Sequence, residues 1–598
     1  MSEAGQTTQR FPVEYFDGVN STVQSTLAKR TEIHHSENAN SPEIGVLQKR
    51  GGQVVQGVTK GDTEFVGDFP THSLFFFNSD EVNNEVHRVT TVGADTSIYR
   101  LNTSNQWEKL SDADAQGLTP VNMDTINVDG KMYLVNGEDA NRYIDSDGVT
   151  VIDSSAAGNL FNSPDANKIV YYKNRIHLAD FTKSGVRYPT TIVRSSYPLG
   201  IIALVDGDQP VGITDLRVTD SKYFYAGAGV NTYDIYRGGT FVETITVTGV
   251  NETSVTINAT ANAILSSDEV WIGGTFAGEK QFRWVNNPST TGLDVKQYDT
   301  FKLTGGDNSP ITMFETIGNT LMIGNKHNLA TWDDYTLTNL DLGIGCVSNR
   351  ATTKLLGTLY FMDYSGVYGT TGGLPTLLSR KVDRYISGAT RAGLESSVAG
   401  IKGLSVFFTI GDVTLYQEDG SVEKELNKVA LEYSVADQNW YVHTNIDYSD
   451  LLNFTDKNGV ERLWGANRIS AVNYPVASLL EGNTDFEDEI FMRVDTQEIQ
   501  LMKEFETSGI PINIVTEIDR GSQMQVYVSL DRERYFELSG TAKKGVSRLK
   551  VHRPGKVENT PPHCRRIRVS YRDSSKQLVR LKQFAINYLP TTVDEQHE

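Results

Sequence analysis

The sequence predicts an all-β protein: a β-propeller of six or seven blades, with a small β domain inserted in it and a C-terminal β-sandwich or barrel platform domain. Three observations predict this. Apolar runs alternate around Gly or Asn turns, the turns recur at blade-like intervals, and the pattern changes after about residue 490. Gly is abundant at 52 and Pro scarce at 17 among 598 residues, which suits many short strands joined by tight turns.

The first observation is a hairpin unit that recurs six times. Each unit has an apolar run with period-two alternation, a turn residue and a second apolar run, which is the pattern of an antiparallel hairpin. The six units lie at residues 126–135, 169–178, 314–323, 355–361, 401–408 and 454–464.

The spacing of the units predicts the architecture. Successive turn residues lie 39 to 56 residues apart, except for the 144 residues between Asn174 and Gly318. An interval of ~40–50 residues with four short strands is one propeller blade. The long interval therefore predicts an inserted domain, and the apolar runs at 74–77 and 97–99 add one further blade upstream.

These patterns divide the chain into five parts. Longer strands after residue 490 predict a separate C-terminal β domain, and helix is expected to be a minority throughout. The predicted parts are an N-terminal arm or platform segment at 1–70, the first part of the propeller at 71–205, the inserted β domain at 206–304, the second part of the propeller at 305–490 and the C-terminal platform domain at 491–598.

Charge is distributed unevenly along the chain. The net charge is −20, yet residues 543–582 alone carry +11, which leaves −31 for the rest. Residues 481–506 hold nine acidic and two basic residues. Because phosphate affinity comes mainly from cationic side chains, the acidic body disfavours a general nucleic-acid or anionic-membrane binder.

The basic window contains the candidate interface residues. Its three cations at 566, 568 and 572 alternate with apolar residues, which places them on one face of a strand. Three interpretations stay open: a solvated sheet face, an interface with an acidic protein such as a second copy of the chain, and a nucleic-acid surface. The six candidates are Arg548, Lys550, Arg553, Arg566, Arg568 and Arg572.

The common catalytic signatures are absent from the sequence. It has no phosphate-binding loop ending in Gly-Lys-Ser/Thr, no His-Glu-x-x-His and no Gly-x-Ser-x-Gly, so we expect neither an enzyme nor a cofactor. The enzyme class that the fold still allows is a propeller glycosidase with paired carboxylates. Its candidates are the pairs Asp145 with Asp147 and Asp206 with Asp208, whose residue types also suit calcium ligands or ordinary turns.

The remaining residues with metal or redox chemistry favour structural roles. Cys346 and Cys564 are the only cysteines, and we expect both to be small buried apolar groups. His34 and His35 are adjacent and diverge on any regular element, so we expect a surface loop there rather than a metal site. No stretch reaches the ~18–20 apolar residues that span a bilayer, and the N-terminus lacks the features of a signal peptide, so we expect synthesis in the cytoplasm.

Three separated parts of the sequence carry a family resemblance. Residues 15–20 and 43–52 look like an opening Gly-x-Asn … Gly-x-Leu-x-Lys-Arg-x-Gly pattern, and residues 359–368 with 378–383 look like a blade with Leu-Tyr-Phe, Gly-Val-Tyr and Leu-Ser-x-Lys-Val-Asp. Residues 519–531 and 564–575 resemble a terminal β domain. The family with these segments is that of the tail hub, nozzle or stabilisation proteins of short-tailed bacteriophages. The insert at 206–304 matches nothing in it.

The resemblance implies a structural virion protein made in the host cytoplasm. In such phages the propeller chain forms a homo-oligomeric ring, a hexamer, below the portal or its adaptor, with platform parts from both chain ends. The ring is part of the DNA ejection channel, passes double-stranded DNA without specific binding, and attaches tail fibre or tailspike proteins. The basic C-terminal residues would then face neighbouring proteins.

Two alternative functions stay open at this point. One is a propeller that binds or cleaves host-surface glycan with the aspartates named above. The other is a monomeric propeller scaffold that binds proteins.

Overall fold

Strands make up most of the ordered elements of the computed structural model. No helix among the described residues is long and apolar enough to cross a membrane. The structure describes residues 9–13, 16–21, 31–43, 46–56, 58–59, 70–78, 85–92, 94–145, 148–151, 164–183, 185–195, 201–221, 224, 226, 231–272, 301–303, 308–333, 336–340, 342–417, 419–467, 476–485, 488–501, 509–530, 537–551, 564 and 566–590.

The first half of the described chain contains 24 strands and one 3-10 turn at Ala113–Ala115. The strands are β1 (Gln9–Val13), β2 (Ile33–Glu37), β3 (Ala39–Glu43), β4 (Val46–Lys49), β5 (Gln53–Val55), β6 (Val58–Thr59), β7 (Thr71–Phe77), β8 (Glu85–Val92), β9 (Asp95–Leu101), β10 (Gln106–Lys109), β11 (Asp124–Val128), β12 (Lys131–Val135), β13 (Arg142–Asp145), β14 (Gly148–Val151), β15 (Asp165–Tyr172), β16 (Arg175–Lys183), β17 (Val186–Arg194), β18 (Ala203–Leu204), β19 (Asp215–Arg217), β20 (Thr232–Arg237), β21 (Thr240–Val250), β22 (Ser254–Ile257), β23 (Glu269–Ile272) and β24 (Phe301–Lys302).

The second half adds a 3-10 turn at Ser379–Val382 and two one-turn helices, α1 (Asp383–Ser387) and α2 (Arg391–Glu395). Its strands are β25 (Met313–Ile317), β26 (Thr320–Gly324), β27 (Leu329–Trp332), β28 (Leu337–Asn339), β29 (Thr352–Leu355), β30 (Thr358–Asp363), β31 (Gly366–Thr370), β32 (Thr376–Leu377), β33 (Ala399–Lys402), β34 (Ser405–Tyr416), β35 (Val422–Ser434), β36 (Asn439–His443), β37 (Tyr448–Thr455), β38 (Glu461–Asn467), β39 (Val476–Leu479), β40 (Met492–Thr496), β41 (Ile499–Gln500), β42 (Gly509–Leu530), β43 (Glu537–Lys550), β44 (Arg566–Asp573) and β45 (Arg580–Pro590).

Seven sheets of the described chain form the blades of a propeller, and their strands pair antiparallel except for β6, which pairs parallel with β10. The first strands of neighbouring blades contact each other, as β15 does with β11 and β25, so these strands line the axis. Seven is one of the two blade numbers that the sequence predicts. In chain order the blades are β7–β10 with β6, β11–β14, β15–β17 with β24, β25–β28, β29–β32, β33–β36, and β37–β39 with β5.

The predicted hairpin units are the first two strands of blades two to seven. Period-two alternation places one face of each strand in the core, and the turn residues adopt the left-handed conformations that tight hairpins need. In the β11–β12 turn, Asp129 and Gly130 have φ of 50° and 74°. Residues 74–77 and 97–99 belong to blade one, as predicted.

The ring is closed by a strand from the N-terminal part of the chain. Strand β5 pairs with β39 as the fourth strand of blade seven, and Gln53 lies opposite Leu479. Blade seven then packs against blade one, where the rings of Phe76 and Phe454 stack with centroids 5.2 Å apart. The N-terminal segment therefore belongs to the propeller as well as to the platform.

The insertion lies between the third and fourth strands of blade three. It is a six-stranded sheet in the order β18-β23-β20-β21-β22-β19, and it runs from Ala203 to Ile272 in the described chain. It has a hydrophobic core of its own, in which Leu216, Tyr233 and Val255 are fully buried. Strand β24 then returns to blade three by pairing with β17.

The platform is one ten-stranded sheet built from both chain ends. Its main path is β2-β40-β44-β42-β45-β4-β3, with β1, β41 and β43 paired to its inner strands. The end strands β2 and β3 are separated only by Asn38, so the sheet is a nearly closed barrel. Its core continues into that of blades four to six in one cluster of buried residues.

Candidate functional site

Asn38 joins the platform to the propeller. Its φ of 54° bends the chain between β2 and β3, a conformation that Asn tolerates better than most residues. The side-chain Nδ2 donates to Thr444 Oγ1 and to the Phe491 carbonyl, both at 2.8 Å. Its Oδ1 accepts from Arg50 Nε and from the Thr444 amide, both also at 2.8 Å. All four hydrogen-bonding positions of the amide are therefore used.

Arg50 forms the charged part of the same joint. Its side chain is fully buried and makes a bidentate ion pair with Asp485, in which Nη1 lies 2.8 Å from Oδ1. The remaining donors bind the carbonyls of Gly51 and Thr444 at 2.9 and 3.0 Å. A buried guanidinium is tolerated because every N–H has an acceptor. Lys49 is also buried, and its Nζ lies 2.6 Å from Oδ2 of the buried Asp573.

The acidic and basic windows of the sequence meet within this one chain. Strands β40 and β44 are neighbours in the platform, and the Arg566 Nη1 lies 2.7 Å from Glu498 Oε1. Arg493 in the acidic window pairs with Asp495 at 2.6 Å. One arginine of the basic window is thus neutralised by a carboxylate of the acidic window inside the platform sheet.

The other two predicted arginines of β44 are half-buried beside Arg566. The guanidinium of Arg572 lies 4.1 Å from the centroid of the Tyr527 ring, and its Nε donates to Ser570 Oγ at 3.2 Å. Arg568 lies close enough to His34 to lower the pKa of that imidazole by charge repulsion. The predicted separation of faces is present, since Ile567, Val569 and Tyr571 are fully buried, although Ser570 is buried with them.

Arg548 and Lys550 have a different environment. Both are exposed on β43, which pairs only with β42 among the described strands. Arg553 lies outside the described residues. The six predicted cations therefore form two groups: the β44 arginines inside the sheet and the β43 cations at its edge.

His34 and His35 lie in the platform strand β2, so the prediction of a surface loop is wrong. His35 Nδ1 lies 2.6 Å from the Tyr385 hydroxyl, and Nε2 lies 2.8 Å from Glu37 Oε1. Burial, followed by the nearby Lys424, lowers the pKa of His35 to about 3. Burial and then Arg568 lower the pKa of His34 to about 4. Both imidazoles are therefore neutral near pH 7.

The two cysteines are fully buried, as predicted. Burial raises the pKa of the Cys346 thiol to about 12, so the reactive thiolate does not form near neutral pH. No group of three or more His, Cys, Asp or Glu side chains that could hold a metal ion occurs in the described part of the chain.

A polar cavity of about 490 Å³ lies on the propeller axis. Its wall consists of side chains from all seven blades or the segments that enter them. They include His72, Asn122, Asn167, Arg187, Thr312, Lys326, Asn349, Arg350, Glu395, Ser396 and Ser449.

Two aspartates at the starts of first strands fasten neighbouring blades beside this cavity. Asp450 Oδ2 accepts the Leu74 amide at 2.9 Å, and Asp124 Oδ2 accepts the Ile169 amide at 3.0 Å. Asp450 also lies 3.6 Å from Arg350 Nη1. Burial raises the pKa of Asp450. Sequence reasoning missed this role, although an aspartate near the start of a first strand is a detectable signal.

The carboxylate that lines the cavity is unsuited to acid catalysis. Glu395 accepts hydrogen bonds from the Tyr364 hydroxyl and from Arg391 Nε, the latter at 3.0 Å, and lies 3.1 Å from Lys326 Nζ. Hydrogen bonds from Tyr364 and then Arg391 lower the pKa of Glu395 to about 2. A general acid needs a proton at the working pH, so these donors argue against that role.

The aspartates predicted as glycosidase candidates lie elsewhere. Asp145 ends β13 in blade two, and Asp147 is outside the described residues. Asp206 and Asp208 are exposed on the inserted domain, where Asp208 Oδ1 accepts the Ser266 amide at 2.7 Å. None of the three described aspartates lines the axial cavity.

Comparison with known proteins shows distant structural similarity. No family model matches the chain, and no curated protein matches its sequence. An exo-β-1,3-galactanase from Phanerochaete chrysosporium is 8% identical over 90% of this chain and 100% of its own, with a TM-score of 0.23. The endosialidase of phage phi92 is 9% identical over 88% of this chain and 69% of its own, with a TM-score of 0.24. An arabinoxylan arabinofuranohydrolase of glycoside hydrolase family 43 from Bacillus subtilis is 8% identical over 88% and 97%, with a TM-score of 0.17. Likenesses with TM-scores this low carry no argument about function.

Proposed function

We propose that this chain is a structural, non-enzymatic component of a short phage tail, a nozzle or hub. Copies of the chain assemble into a ring, a hexamer, below the portal and its adaptor. The ring is part of the channel for the ejected DNA and holds the distal tail parts, such as fibres or tailspikes. The protein therefore acts in the virion.

The observation that carries this proposal is the platform sheet made from both chain ends. Strands β1–β4 from the beginning and β40–β45 from the end form one sheet beside a closed seven-bladed ring. This agrees with the architecture that the family resemblance implies, in which both ends supply the platform.

The buried contacts between the platform and the propeller suit a protein that transmits force. The ion pair of Arg50 with Asp485 and the saturated amide of Asn38 are buried where the chain passes from the platform into blade seven. Paired buried charges fix one arrangement of two bodies, because any other leaves a charge or amide unsatisfied. A tail part that transmits force benefits from such a fixed arrangement.

The test is the mass of the purified chain alone and with the portal and adaptor proteins of the same phage, by native mass spectrometry. We expect six-fold rings, formed by the chain alone or together with the portal and adaptor proteins. A chain that stays monomeric and ignores both partners contradicts it and favours the monomeric scaffold. Electron microscopy of the virion should place the chain in the tail.

A glycan-binding protein is the second candidate, and the polar axial cavity favours it. Its amide and hydroxyl groups, among them Asn122, Asn167 and Asn349, can donate to and accept from the hydroxyls of a sugar. Because hydrogen bonds from Tyr364 and Arg391 lower the pKa of Glu395, the cavity is better suited to binding a glycan than to cleaving one.

This candidate has a separate test. Titration with host-surface oligosaccharides should show binding that Asn349→Ala weakens and that the control Asn458→Ala, on an exposed turn of blade seven, leaves unchanged. A glycan-release assay on the unmodified chain tests cleavage directly. If the chain binds glycan and forms no ring, the glycan-binding function replaces the proposed tail function. If it forms rings and binds no glycan, the glycan-binding function is excluded.

A further inference from the structure

One strip of the platform is basic and exposes apolar side chains. We define the basic strip as residues 538–550 of β43, where Lys543, Lys544, Arg548 and Lys550 are all exposed. The strip includes Val546 and Leu538, which are 66% and 57% exposed. Leu549 packs against the core instead, and Ala542 is fully buried.

A second strip, on blade six, is acidic and also exposes apolar side chains. We define the acidic hairpin as residues 411–425, where β34 and β35, the second and third strands of blade six, extend beyond the second and third strands of the other blades. Tyr416 and Val422 lie opposite each other and are 53% and 51% exposed. Asp412, Asp419 and Glu425 are exposed around them.

The acidic hairpin is fixed to the body of the chain close to its turn. Arg384 of α1 pairs with Glu423 and donates to the Tyr416 carbonyl at 2.6 Å. Lys424 pairs with Glu37 of the platform strand β2. A strip held in this way loses little conformational entropy when it binds, which favours its use as an interface.

The two strips have complementary charge, and no ion pair joins them within the described part of one chain. We infer that the acidic hairpin of one copy binds the basic strip of the next copy. The exposed Tyr416 and Val422 would then cover Val546 and Leu538, while the opposite charges fix the register. This inference rests on the proposed function, since it names the contact through which the ring assembles.

The charges also decide the symmetry of the contact. Two acidic hairpins repel each other, and so do two basic strips, so a two-fold contact of like strips is disfavoured. A head-to-tail contact between unlike strips leaves one free strip at each end of every open oligomer. Head-to-tail addition of this kind closes into a ring when the rotation between copies permits it.

The experiment is a charge exchange between the two strips. Glu425→Lys and, separately, Lys544→Glu should each weaken self-association about ten-fold or more, measured by analytical ultracentrifugation and native mass spectrometry. The double variant with both changes should recover most of the association. Matched controls are Glu252→Lys on the inserted domain and Lys457→Glu on the β37–β38 turn, two exposed positions outside both strips.

Mixing the two single variants tests the head-to-tail arrangement. Each single variant keeps one intact strip, and its mutated strip is complementary in charge to the mutated strip of the other variant. An equal mixture should therefore recover closed rings in which the two variants alternate, whereas neither variant alone should form them. If the unmodified chain forms rings and both single variants also form them, this inference is overturned while the proposed function stands. If the unmodified chain forms no ring alone or with portal and adaptor, both are overturned.

Discussion

The carboxylate of Asp450 in blade seven accepts the backbone amide of Leu74 in blade one, with Oδ2 and N 2.9 Å apart. The same carboxylate accepts the Leu451 amide at 3.0 Å and faces Arg350 at 3.6 Å. One buried side chain thus joins the last blade to the first and balances a cation beside the axial cavity.

Asp450→Ala should destabilise the protein by about 3–5 kcal/mol, because it removes the counter-charge of Arg350 and the acceptor of the Leu74 and Leu451 amides. Asp450→Asn should cost less, since the amide oxygen can still accept from Leu74. Thermal unfolding checks both, with the exposed Lys457→Ala as control. An Asp450→Ala variant that melts with the unmodified chain would contradict this account of ring closure.

Gly52→Ala should destabilise the joint between platform and propeller by about 3 kcal/mol. A Cβ at Gly52 would lie 1.9 Å from the Thr484 carbonyl oxygen, so the backbone must move. The control is Gly373→Ala, where a Cβ meets nothing within 4 Å and stability should stay the same or rise slightly. Denaturant unfolding of the two variants side by side is the measurement, and equal midpoints would refute the prediction.

Acid should destabilise the platform through His34. Its folded pKa of about 4 lies below the ordinary 6.5, so the unfolded state binds more protons as the pH falls below 6.5. Stability should therefore decrease between pH 6.5 and about 4, by at most about 3 kcal/mol for this residue. Unfolding measured at pH 7 and pH 5 tests the direction.

The contribution of Arg568 to this shift can be measured separately. Arg568→Gln should raise the pKa of His34, because the repelling charge is removed. Arg548→Gln, on the exposed edge strand, should leave it unchanged. Histidine-selective NMR titration is the readout. Identical His34 titration in both variants would exclude the proposed repulsion.

Charge reversal should lower stability in one group of predicted cations and weaken self-association in the other. Arg566→Glu places an acid against the buried Glu498 and should lower the melting temperature, with a loss of about 3 kcal/mol or more. Arg548→Glu with Lys550→Glu, on the exposed strand, should leave the melting temperature unchanged and weaken self-association. Thermal unfolding and sedimentation of both variants test this prediction. If Arg566→Glu weakened self-association and the β43 double variant lowered the melting temperature, the interface would lie on β44.

Local pattern was sufficient to predict the strands and blades. Alternation and turn residues such as Asp129 and Gly130 act over a few residues, so they determine where a hairpin forms whatever surrounds it. The near-constant spacing of these hairpins then predicts repeated blades, and one long interval predicts the insertion. The burial of Cys346 and Cys564 follows from residue type alone.

Partners distant in sequence could not be predicted in this way. The alternation of Arg566, Arg568 and Arg572 indicates a face of a strand, but it does not reveal that Glu498 in the same chain supplies the counter-charge. His34 and His35 looked like loop residues because Tyr385, which accommodates His35 in the core, lies 350 residues away and is recognisable as a partner only in the folded chain.

The sequence by itself determined that this protein is an all-β propeller with an insertion and a platform domain, since strand periodicity and turn chemistry are local properties. Only the tertiary structure decided that both chain ends share one sheet, that β5 closes blade seven and that the basic window divides into paired and exposed cations. The physical reason is that a strand's pattern specifies which of its faces is buried, whereas its neighbours are selected by packing and charge pairing across the whole fold.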